Sequence, residues 1–178
     1  IVTVEDFSLE KDKAPLKPQN IPLNIIYEDD QIIVVNKSSG IVVHPGIGNR
    51  DSTMLNALLY HCSSLSSFSN RPGVIHRLDK ETTGVIVFAK TDKAHYFISE
   101  QFANREILKQ YKAIVWGNLN EEKIIEKYLK RDDRNRLRFK TSDRTGKKSI
   151  TICRPDRNHS IPISIVDAYP KTGRTHQI

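Results

Sequence analysis

The chain has 178 residues, 38% of them hydrophobic, and carries a formal net charge of +7. A chain of this size can bury a core without disulfide staples, so we expect one domain. No apolar run reaches the length of a membrane-spanning helix and no signal peptide opens the sequence, which excludes a helical membrane protein and favours a cytoplasmic location. The positive charge favours a polyanionic partner, although charge alone separates RNA neither from DNA nor from a solubilising surface.

The first predicted elements are a linker and short strands. Residues 1–22 contain three prolines among charged side chains and are expected to form an extended linker. Apolar strands are expected at residues 24–28 and 31–36, on either side of an acidic turn, and at 41–43 after Gly40.

Two helices and further strands follow in chain order. Asp51 or Ser52 is expected to cap the first helix, and Thr91–Asp92 the second. Apolar residues at helical spacing predict inward faces made of Met54, Leu55, Leu58, Leu59 and Cys62 in the first helix and Ala94, Phe97, Ile98 and Phe102 in the second. Strand patterns return at residues 106–117, 124–129, 136–140, 149–153 and 161–168. This order predicts an α+β fold with a mostly antiparallel mixed sheet and flanking helices.

Cys62 and Cys153 lie far apart in the sequence and in no Cys-x-x-Cys or Cys/His spacing. Such spacings are typical of disulfide frameworks and zinc sites. We therefore expect neither a disulfide framework nor a metal site.

Nine residues between the two predicted helices, from His76 to Gly84, form a polar loop between the apolar runs 73–75 and 85–89. An apolar run, a loop with a carboxylate and cations, and a second apolar run are typical of two buried strands that present one residue, here Asp79, at a loop. Taken alone, the four residues Arg-Leu-Asp-Lys are equally consistent with a surface ion pair or a turn.

The longer string His-Arg-Leu-Asp-Lys-x-Thr-x-Gly resembles the active-site motif of the RluA/RluD-type pseudouridine synthases. Other blocks of that family occur here in the same order, at residues 26–37, 42–46, 52–59, 109–117 and 173–178. Five blocks in the same order make the probability of a chance agreement very small. The resemblance runs from about Pro22 to the end of the chain.

The resemblance implies a pseudouridine synthase catalytic domain at residues 23–178 that is incomplete at its C-terminus. It also implies that residues 1–22 follow an S4-like RNA-binding domain that this sequence lacks. The implied activity is the isomerisation of specific uridines, with large-subunit (23S) ribosomal RNA as first choice of substrate. No metal, cofactor or membrane is implied, and we expect a monomer.

Pseudouridine formation detaches uracil from C1′ of the sugar and rejoins it through C5. A carboxylate can attack as a nucleophile or stabilise positive charge on the sugar, and Asp79 is the candidate. Whether Asp79 attacks the sugar, attacks the base or abstracts a sugar proton stays open. By resemblance, Arg174 orients this carboxylate, Tyr111 stacks on the target base or takes part in proton removal, and Arg77 fills the space left by the flipped uridine.

Each of these residues also has a non-functional interpretation. Arg174 could be a surface cation and Tyr111 an ordinary half-buried tyrosine of a sheet. The histidines of these motifs are expected to be structural, with His76 holding its loop by hydrogen bonds; the other two are His44 and His176.

The positive charge is concentrated in one stretch, where ten basic residues stand against three acidic ones: Lys127, Lys130, Arg131, Arg134, Arg136, Arg138, Lys140, Arg144, Lys147 and Lys148 against Asp132, Asp133 and Asp143. Such a patch predicts contacts with phosphates, and we expect Arg134, Arg136 and Arg138 to bind RNA. Lys109 is either a further phosphate contact or part of a solvated face.

Three other functions stay open at this point. The first is a transfer-RNA pseudouridine synthase of the same family, and the second is a catalytically silent RNA-binding module that uses the basic patch. The third is a hydrolase that uses His76 and Asp79, which the lack of a Gly-x-Ser-x-Gly motif disfavours.

Overall fold

The computed structural model describes residues 16–46, 48–135, 138–158 and 162–178. The chain divides into two compact units, one ending at Tyr96 and the other comprising Phe97–Ile178. None of the helices in the described ranges is long and apolar enough to cross a membrane.

The first unit contains a three-stranded antiparallel sheet in the order β1-β2-β3, formed by β1 (Ile25–Glu28), β2 (Ile32–Lys37) and β3 (Gly84–Ala89). Alternate residues of β2 face the core, and Ile33 pairs with the equally buried Phe88. The predicted acidic turn between β1 and β2 is confirmed, because an Asp29 carboxylate oxygen accepts hydrogen bonds from the backbone N–H groups of Gln31, in the turn, and Ile32, the first residue of β2.

Helix α1 (Met54–His61) begins one or two residues later than a cap at Ser52 or Asp51 would give. Thr53 is its N-cap, and a capping box joins the Thr53 side chain to the backbone of Asn56 and the Asn56 side chain to the backbone of Thr53. The expected cap at Asp51 or Ser52 is wrong. Ser52 has a φ of 54°, in the left-handed region, whereas an N-cap needs the extended backbone that Thr53 supplies.

The strand expected at residues 41–43 does not form. Instead, the carbonyl groups of Val42 and Val43 accept hydrogen bonds from the first two N–H groups of α1, those of Met54 and Leu55. The first N–H groups of a helix have no partner within the helix, and residues 42 and 43 supply carbonyl partners for the first two of them. This segment pairs with no strand among the described residues.

The strand expected at residues 73–75, before the Asp79 loop, is also wrong. This segment makes one isolated bridge, between Val74 and Phe88 of β3. Gly73 accepts a hydrogen bond from the N–H of Ala89 and has a φ of +68°. A Cβ atom on Gly73 would lie 2.7 Å from the Ala89 carbonyl oxygen, so only glycine fits this approach.

Helix α2 (Asp92–Asn104) starts where the sequence predicted, since the Thr91 hydroxyl accepts the N–H of Ala94. Its fully buried residues are Ala94 and His95, whereas Phe97 is 63% exposed, so the prediction that Phe97 belongs to the core is wrong. Phe97 follows His95 by two positions, about 200° around the helix. The inward direction is set by a hydrogen bond between His95 and Ser66.

The second unit contains a five-stranded sheet in the order β4-β8-β7-β5-β6, in which every pairing is antiparallel. The strands are β4 (Tyr111–Trp116), β5 (Lys123–Arg131), β6 (Phe139–Ser142), β7 (Lys147–Asn158) and β8 (Ile163–Pro170). Buried and half-buried residues alternate along all of β8, as expected for a strand with one face on the core. The predicted mostly antiparallel α+β fold is confirmed, with one sheet in each unit.

Strand boundaries differ from the sequence prediction: β7 extends well beyond the expected residues 149–153, β8 lies two residues later than expected, and β4 and β6 begin late. Residues 106–110 do not form a strand, and β4 begins only at Tyr111. Of the strand predicted at residues 136–140, residues 136 and 137 lie outside the described ranges and β6 begins at Phe139.

The contrast between two phenylalanines is testable. Phe88 is fully buried in β3, so Phe88→Ala is expected to lower the free energy of unfolding by about 3 to 4 kcal/mol through the cavity it leaves. Phe97→Ala is the matched control and should lower it by less than about 0.5 kcal/mol, since the ring is exposed. Urea denaturation of both variants measures the difference, and equal losses would contradict the described packing of α2.

Candidate active site and RNA-binding residues

Asp79 lies on the loop between the Val74 bridge and β3, with its carboxylate within reach of solvent. Its side chain is 37% exposed, and its backbone carbonyl accepts the N–H of Thr82 at 3.1 Å. The preceding residue, Leu78, is buried and anchors the loop. The carboxylate is therefore held on a fixed backbone and open to a ligand.

Arg77 and Asp79 lie side by side in this loop. The Arg77 Nη2 atom is 3.7 Å from the Asp79 Oδ1 atom, and the Arg77 side chain is 55% exposed. An exposed pair at this distance contributes only about 0 to 1 kcal/mol. The guanidinium can leave the carboxylate at little cost.

His76 has a structural contact, as the sequence predicted. Its Nε2 atom accepts a hydrogen bond from the backbone N–H of Val87 at 3.0 Å. Val87 lies in β3, and the imidazole takes the place of a neighbouring strand's carbonyl group. The bond ties the start of the active-site motif to the sheet.

Lys37, the last residue of β2, was not singled out from the sequence. Its side chain is 1% exposed, and its ammonium group donates hydrogen bonds to the carbonyl oxygens of Ser38, Ile41 and Lys80 at 2.8, 2.8 and 2.9 Å. These three bonds use every N–H that a lysine carries. Lys37 thereby ties the end of a strand to the residue that follows Asp79.

The pKa of Lys37 reflects this environment. Burial lowers it below the ordinary lysine value, while the carboxylates of Glu81 and Asp79 oppose the shift. A sequence signal for Lys37 does exist: it occupies an inward position in the alternation Ile33, Val35, Lys37. A charged residue at an inward position of a strand indicates a group with buried partners.

Tyr111 and Arg174 both lie in the second unit. Tyr111 opens β4, where it is half-buried and pairs with Ala168 of β8. Arg174 is exposed, and its Nε atom donates to the carbonyl oxygen of Lys148 at 3.0 Å. The predicted contact between Arg174 and Asp79 joins residues of the two units and stays a prediction.

Gln177 holds the turn that carries Arg174, and it too was missed from the sequence. Its amide nitrogen donates to the Ile150 carbonyl oxygen and to the Thr151 hydroxyl, both at 3.0 Å. Its amide oxygen accepts from the Thr172 hydroxyl and from the Arg174 N–H. Four hydrogen bonds to one side chain fix this turn on β7.

His176, in the same turn as Arg174 and Gln177, is also held by a contact of its side chain. Its ring meets Phe139 edge to face at 5.5 Å, and the Arg131 guanidinium lies 5.1 Å from the centre of the Phe139 ring. These contacts agree with the structural role expected for His176.

The basic patch divides into paired and unpaired cations. Several of its lysines have carboxylate partners: Lys127 with Asp143, Lys130 and Lys140 with Asp133, and Lys148 with Glu126. Arg134 and Arg138 are exposed, and their guanidinium groups make no ion pair within the described ranges. Arg136, predicted to act with them, lies outside those ranges.

Lys109 is half-buried, just before β4. Burial, with Arg105 nearby, lowers the pKa of its ammonium below the ordinary value. Its predicted contact with a phosphate stays a prediction.

Residues 31–178 match the family model described as RNA pseudouridylate synthase. The chain belongs to this family. Two relatives carry the name "Ribosomal large subunit pseudouridine synthase D". The one from Zymomonas mobilis is 44% identical over 169 residues, which are 91% of this chain and 52% of the relative. The one from Borreliella burgdorferi is 46% identical over 168 residues, which are 92% of this chain and 51% of the relative.

Solved structures of the family share the fold. "Human RNA Pseudouridylate Synthase Domain Containing 1" superposes with a TM-score of 0.70 at 24% identity, over 88% of this chain and 62% of that chain. "Human RNA Pseudouridylate Synthase Domain Containing 4" gives a TM-score of 0.62 at 24% identity, over 86% and 61%. The chain spans about half the length of the curated relatives it matches.

The anchoring by Lys37 gives a stability prediction. Lys37→Met keeps most of the length of the side chain but removes the ammonium group that donates to three carbonyl groups, so we expect the free energy of unfolding to fall by about 2 kcal/mol or more. Hydrogen exchange at the Gly40 amide, which donates to the Lys80 carbonyl, should become faster. Lys93→Met on exposed α2 surface is the control; equal behaviour of the two variants would refute the anchoring role.

Proposed function

We propose that the protein is an RNA pseudouridine synthase that isomerises specific uridines in large-subunit (23S) ribosomal RNA, with Asp79 as the catalytic carboxylate. Membership of the family supports the reaction, and the names of the two relatives support the substrate. The observation that carries the proposal is the half-exposed carboxylate of Asp79 on an anchored loop inside the matched region. Such a substrate places the enzyme in the cytoplasm.

The proposed reaction needs few chemical groups. The C1′–N1 bond breaks, the uracil turns, a C1′–C5 bond forms, C5 loses its proton and N1 gains one. Because the product is an isomer and no redox step occurs, the chemistry calls for a carboxylate and a proton acceptor rather than a cofactor. Asp79 meets the first need as a nucleophile or as a charge that stabilises the developing cation on the sugar.

Tyr111 and Arg174 are proposed to complete the site. The Tyr111 ring would stack on the target base or its hydroxyl would assist proton removal, and Arg174 would orient the Asp79 carboxylate. The turn of Arg174 is already fixed by Gln177, which supports a positioning role because little ordering remains to be done.

Arg77 is proposed to occupy the space that the flipped uridine leaves. Reaching C1′ of a uridine in a helix requires the nucleotide to leave its stack. The exposed Arg77 guanidinium, held only loosely by Asp79, has the mobility and the planar shape that this role requires.

Loss of the Asp79 charge tests the central role. Asp79→Asn keeps the shape of the side chain but removes its nucleophilicity, so we expect RNA binding within about twofold of wild type and a rate at least 10³-fold lower. Release of tritium from C5 of labelled uridine in a 23S RNA fragment measures turnover, and fluorescence anisotropy measures binding.

Asp30→Asn, in the exposed turn before β2, is the matched control and should retain full activity. Turnover by Asp79→Asn near the control level would rule out the catalytic role of this carboxylate. An inactive wild type that still binds RNA would instead favour the silent RNA-binding module.

The substrate is tested in cells. Mapping pseudouridines in cells that lack the gene should show sites missing from 23S ribosomal RNA and restored by the wild-type gene. Loss confined to transfer RNA would overturn the ribosomal proposal and leave the family reaction intact.

The three arginines expected to bind RNA give a prediction on affinity. Replacing Arg134, Arg136 and Arg138 by Gln should weaken RNA binding and reduce the slope of log Kd against log salt by about 0.7 to 0.9 per lost phosphate contact. The rate on saturating RNA should stay comparable. Titrations at several salt concentrations give the slope.

Lysines of the same patch provide the control. Gln replacements of Lys127, Lys140 and Lys148 remove the same formal charge, but these ammonium groups already face carboxylates. Their effect on the salt slope should therefore be smaller. Equal slopes in the two triple variants would show that the arginines have no special contact with RNA.

A further inference from the structure

The loop of residues 66–73, in the first unit, presents an aromatic ring to solvent. Phe68 is 56% exposed, and its ring meets that of Tyr96, which is 53% exposed, edge to face with 6.1 Å between the ring centres. The buried ring of His95 lies 5.3 Å from Phe68 on another side. Two large rings exposed side by side, rather than singly, favour a surface that contacts a partner.

Both ends of loop 66–73 are tied to the last residue of β3. The Ser66 N–H donates to the Ala89 carbonyl oxygen at 3.1 Å, and the Ala89 N–H donates to the Gly73 carbonyl oxygen at 2.9 Å. The Gly73 N–H closes the loop by donating to the Ser66 carbonyl oxygen at 2.8 Å. Compact surface loops with closed ends frequently carry function.

The backbone at Phe68 is also fixed, through the first residue of α2. The Oδ1 atom of Asp92 accepts hydrogen bonds from the Ser66 hydroxyl at 2.7 Å and from the N–H groups of Ser67 and Phe68 at 2.9 and 3.1 Å. Ser66 itself is 2% exposed, so this network has a buried base. A ring held outward on a fixed backbone loses little conformational freedom when a ligand stacks on it.

Arg71 adds a positive charge to the same loop. It is exposed and makes no ion pair within the described ranges. Burial lowers the pKa of His44, and the guanidinium groups of Arg71 and Arg77 lower it further, so both cations lie near this imidazole. A pocket lined by His44, Arg77 and Lys80 lies beside the catalytic loop. Positive charge therefore extends from the surroundings of Asp79 to loop 66–73.

A nucleotide of RNA carries the groups that complement this surface. The face of its base stacks on aromatic rings whatever the base, and its phosphate pairs with a guanidinium group. A protein partner would match the rings, but it would leave the charge of Arg71 without a counterpart. Because the positive charge continues toward Asp79, the substrate RNA is the occupant that fits both the rings and the cations.

We propose that loop 66–73 binds a nucleotide that flanks the target uridine in the substrate RNA, with its base stacked on Phe68 and its phosphate contacted by Arg71. The inference rests on the proposed function, since it takes the RNA to be the substrate. Stacking on Phe68 compensates part of the base stacking that the RNA loses when the target uridine leaves its helix. Tyr96 supports the Phe68 ring from its edge.

The experiment measures binding of the full-length protein to substrate RNAs in which one nucleotide at a time, other than the target, lacks its base. For the wild type we expect one position at which the missing base weakens binding about tenfold, and Phe68→Ala should weaken binding to the intact RNA by the same factor. At that position Phe68→Ala should show no further loss, because both changes remove one contact. Losses that multiply at every position would overturn the proposal.

Two further substitutions separate stacking from apolar contact. Phe68→Trp keeps an aromatic face and should bind at least as tightly as wild type, whereas Phe68→Leu should bind as weakly as Phe68→Ala. A Phe68→Leu variant with wild-type affinity would refute stacking. This pair also decides the matter if Phe68→Ala does not fold.

Tyr60→Ala is the matched control for the loss of an exposed ring. Tyr60 lies on α1, is 59% exposed and has no ring contact within the described part of the chain. Its removal should leave the affinity and the base dependence at wild-type levels. An equal loss of affinity in Tyr60→Ala and Phe68→Ala would show that loop 66–73 has no specific role.

The phosphate contact is tested by Arg71→Gln. We expect this variant to reduce the slope of log Kd against log salt by about 0.7 to 0.9, the effect of one lost phosphate contact. The base dependence at the Phe68 position should remain, since the ring is untouched. An unchanged salt slope would overturn the assignment of Arg71.

The outcomes separate this inference from the proposed function. A wild type that forms no pseudouridine in any RNA fails the proposed function. A wild type that forms product, while Phe68→Ala binds every RNA with wild-type affinity, keeps that function and fails the inference. A Phe68→Ala protein with a lower melting temperature but unchanged RNA affinity would assign the ring to a contact within the protein and equally overturn the inference.

Discussion

The buried ammonium of Lys37 is the constraint on which the Asp79 loop depends. A charge removed from water is tolerated only where its hydrogen-bonding capacity is used, and here three carbonyl oxygens use it fully. Two of those carbonyls belong to the turn after β2 and the third to Lys80. One ammonium group therefore fixes the relative position of two segments 43 residues apart in sequence.

As a result, the backbone of Asp79 is fixed while its carboxylate stays free to react. Its backbone is held by Lys37 on one side and by the buried Leu78 on the other, while among the described residues its carboxylate has the loose contact with Arg77. A rigid backbone with an uncommitted carboxylate is what an attacking or charge-stabilising group requires. The hydrogen bonds that anchor the loop are made to main-chain atoms, so the carboxylate oxygens of Asp79 stay available to a substrate.

The sequence predicted those parts of the fold that a pattern within the element itself specifies. The Asp79 loop, both helices and most strands follow from runs of apolar residues with clear periods. The segments at 41–43 and 73–75 were misjudged because their backbone partners are a helix start and a strand edge distant in sequence. Phe97 was misjudged because helical spacing does not say which arc faces the core, and a polar contact of His95 decides it.

The site was predicted less completely than the fold. Motif resemblance selected Asp79. Lys37 showed only the weak signal of a charged residue at an inward strand position, and the hydrogen bonds of Gln177 to β7 and to its own turn leave no spacing pattern in the sequence. The basic patch shows the opposite error, since a count of charges cannot distinguish a cation with a carboxylate partner, such as Lys127, from one such as Arg134 that has no ion pair within the described ranges.

The clamp made by Gln177 makes one turn of the protein vulnerable to chemical ageing. Its amide nitrogen faces two acceptors and its amide oxygen faces two donors. Deamidation to glutamate exchanges one heavy atom, yet it turns both N–H donors into an oxygen directed at the Ile150 carbonyl. Repulsion would then release the Arg174 turn from β7 with hardly any change in the size of the side chain, so the loss of a single ammonia molecule would displace Arg174 while the rest of the sheet keeps its hydrogen bonds.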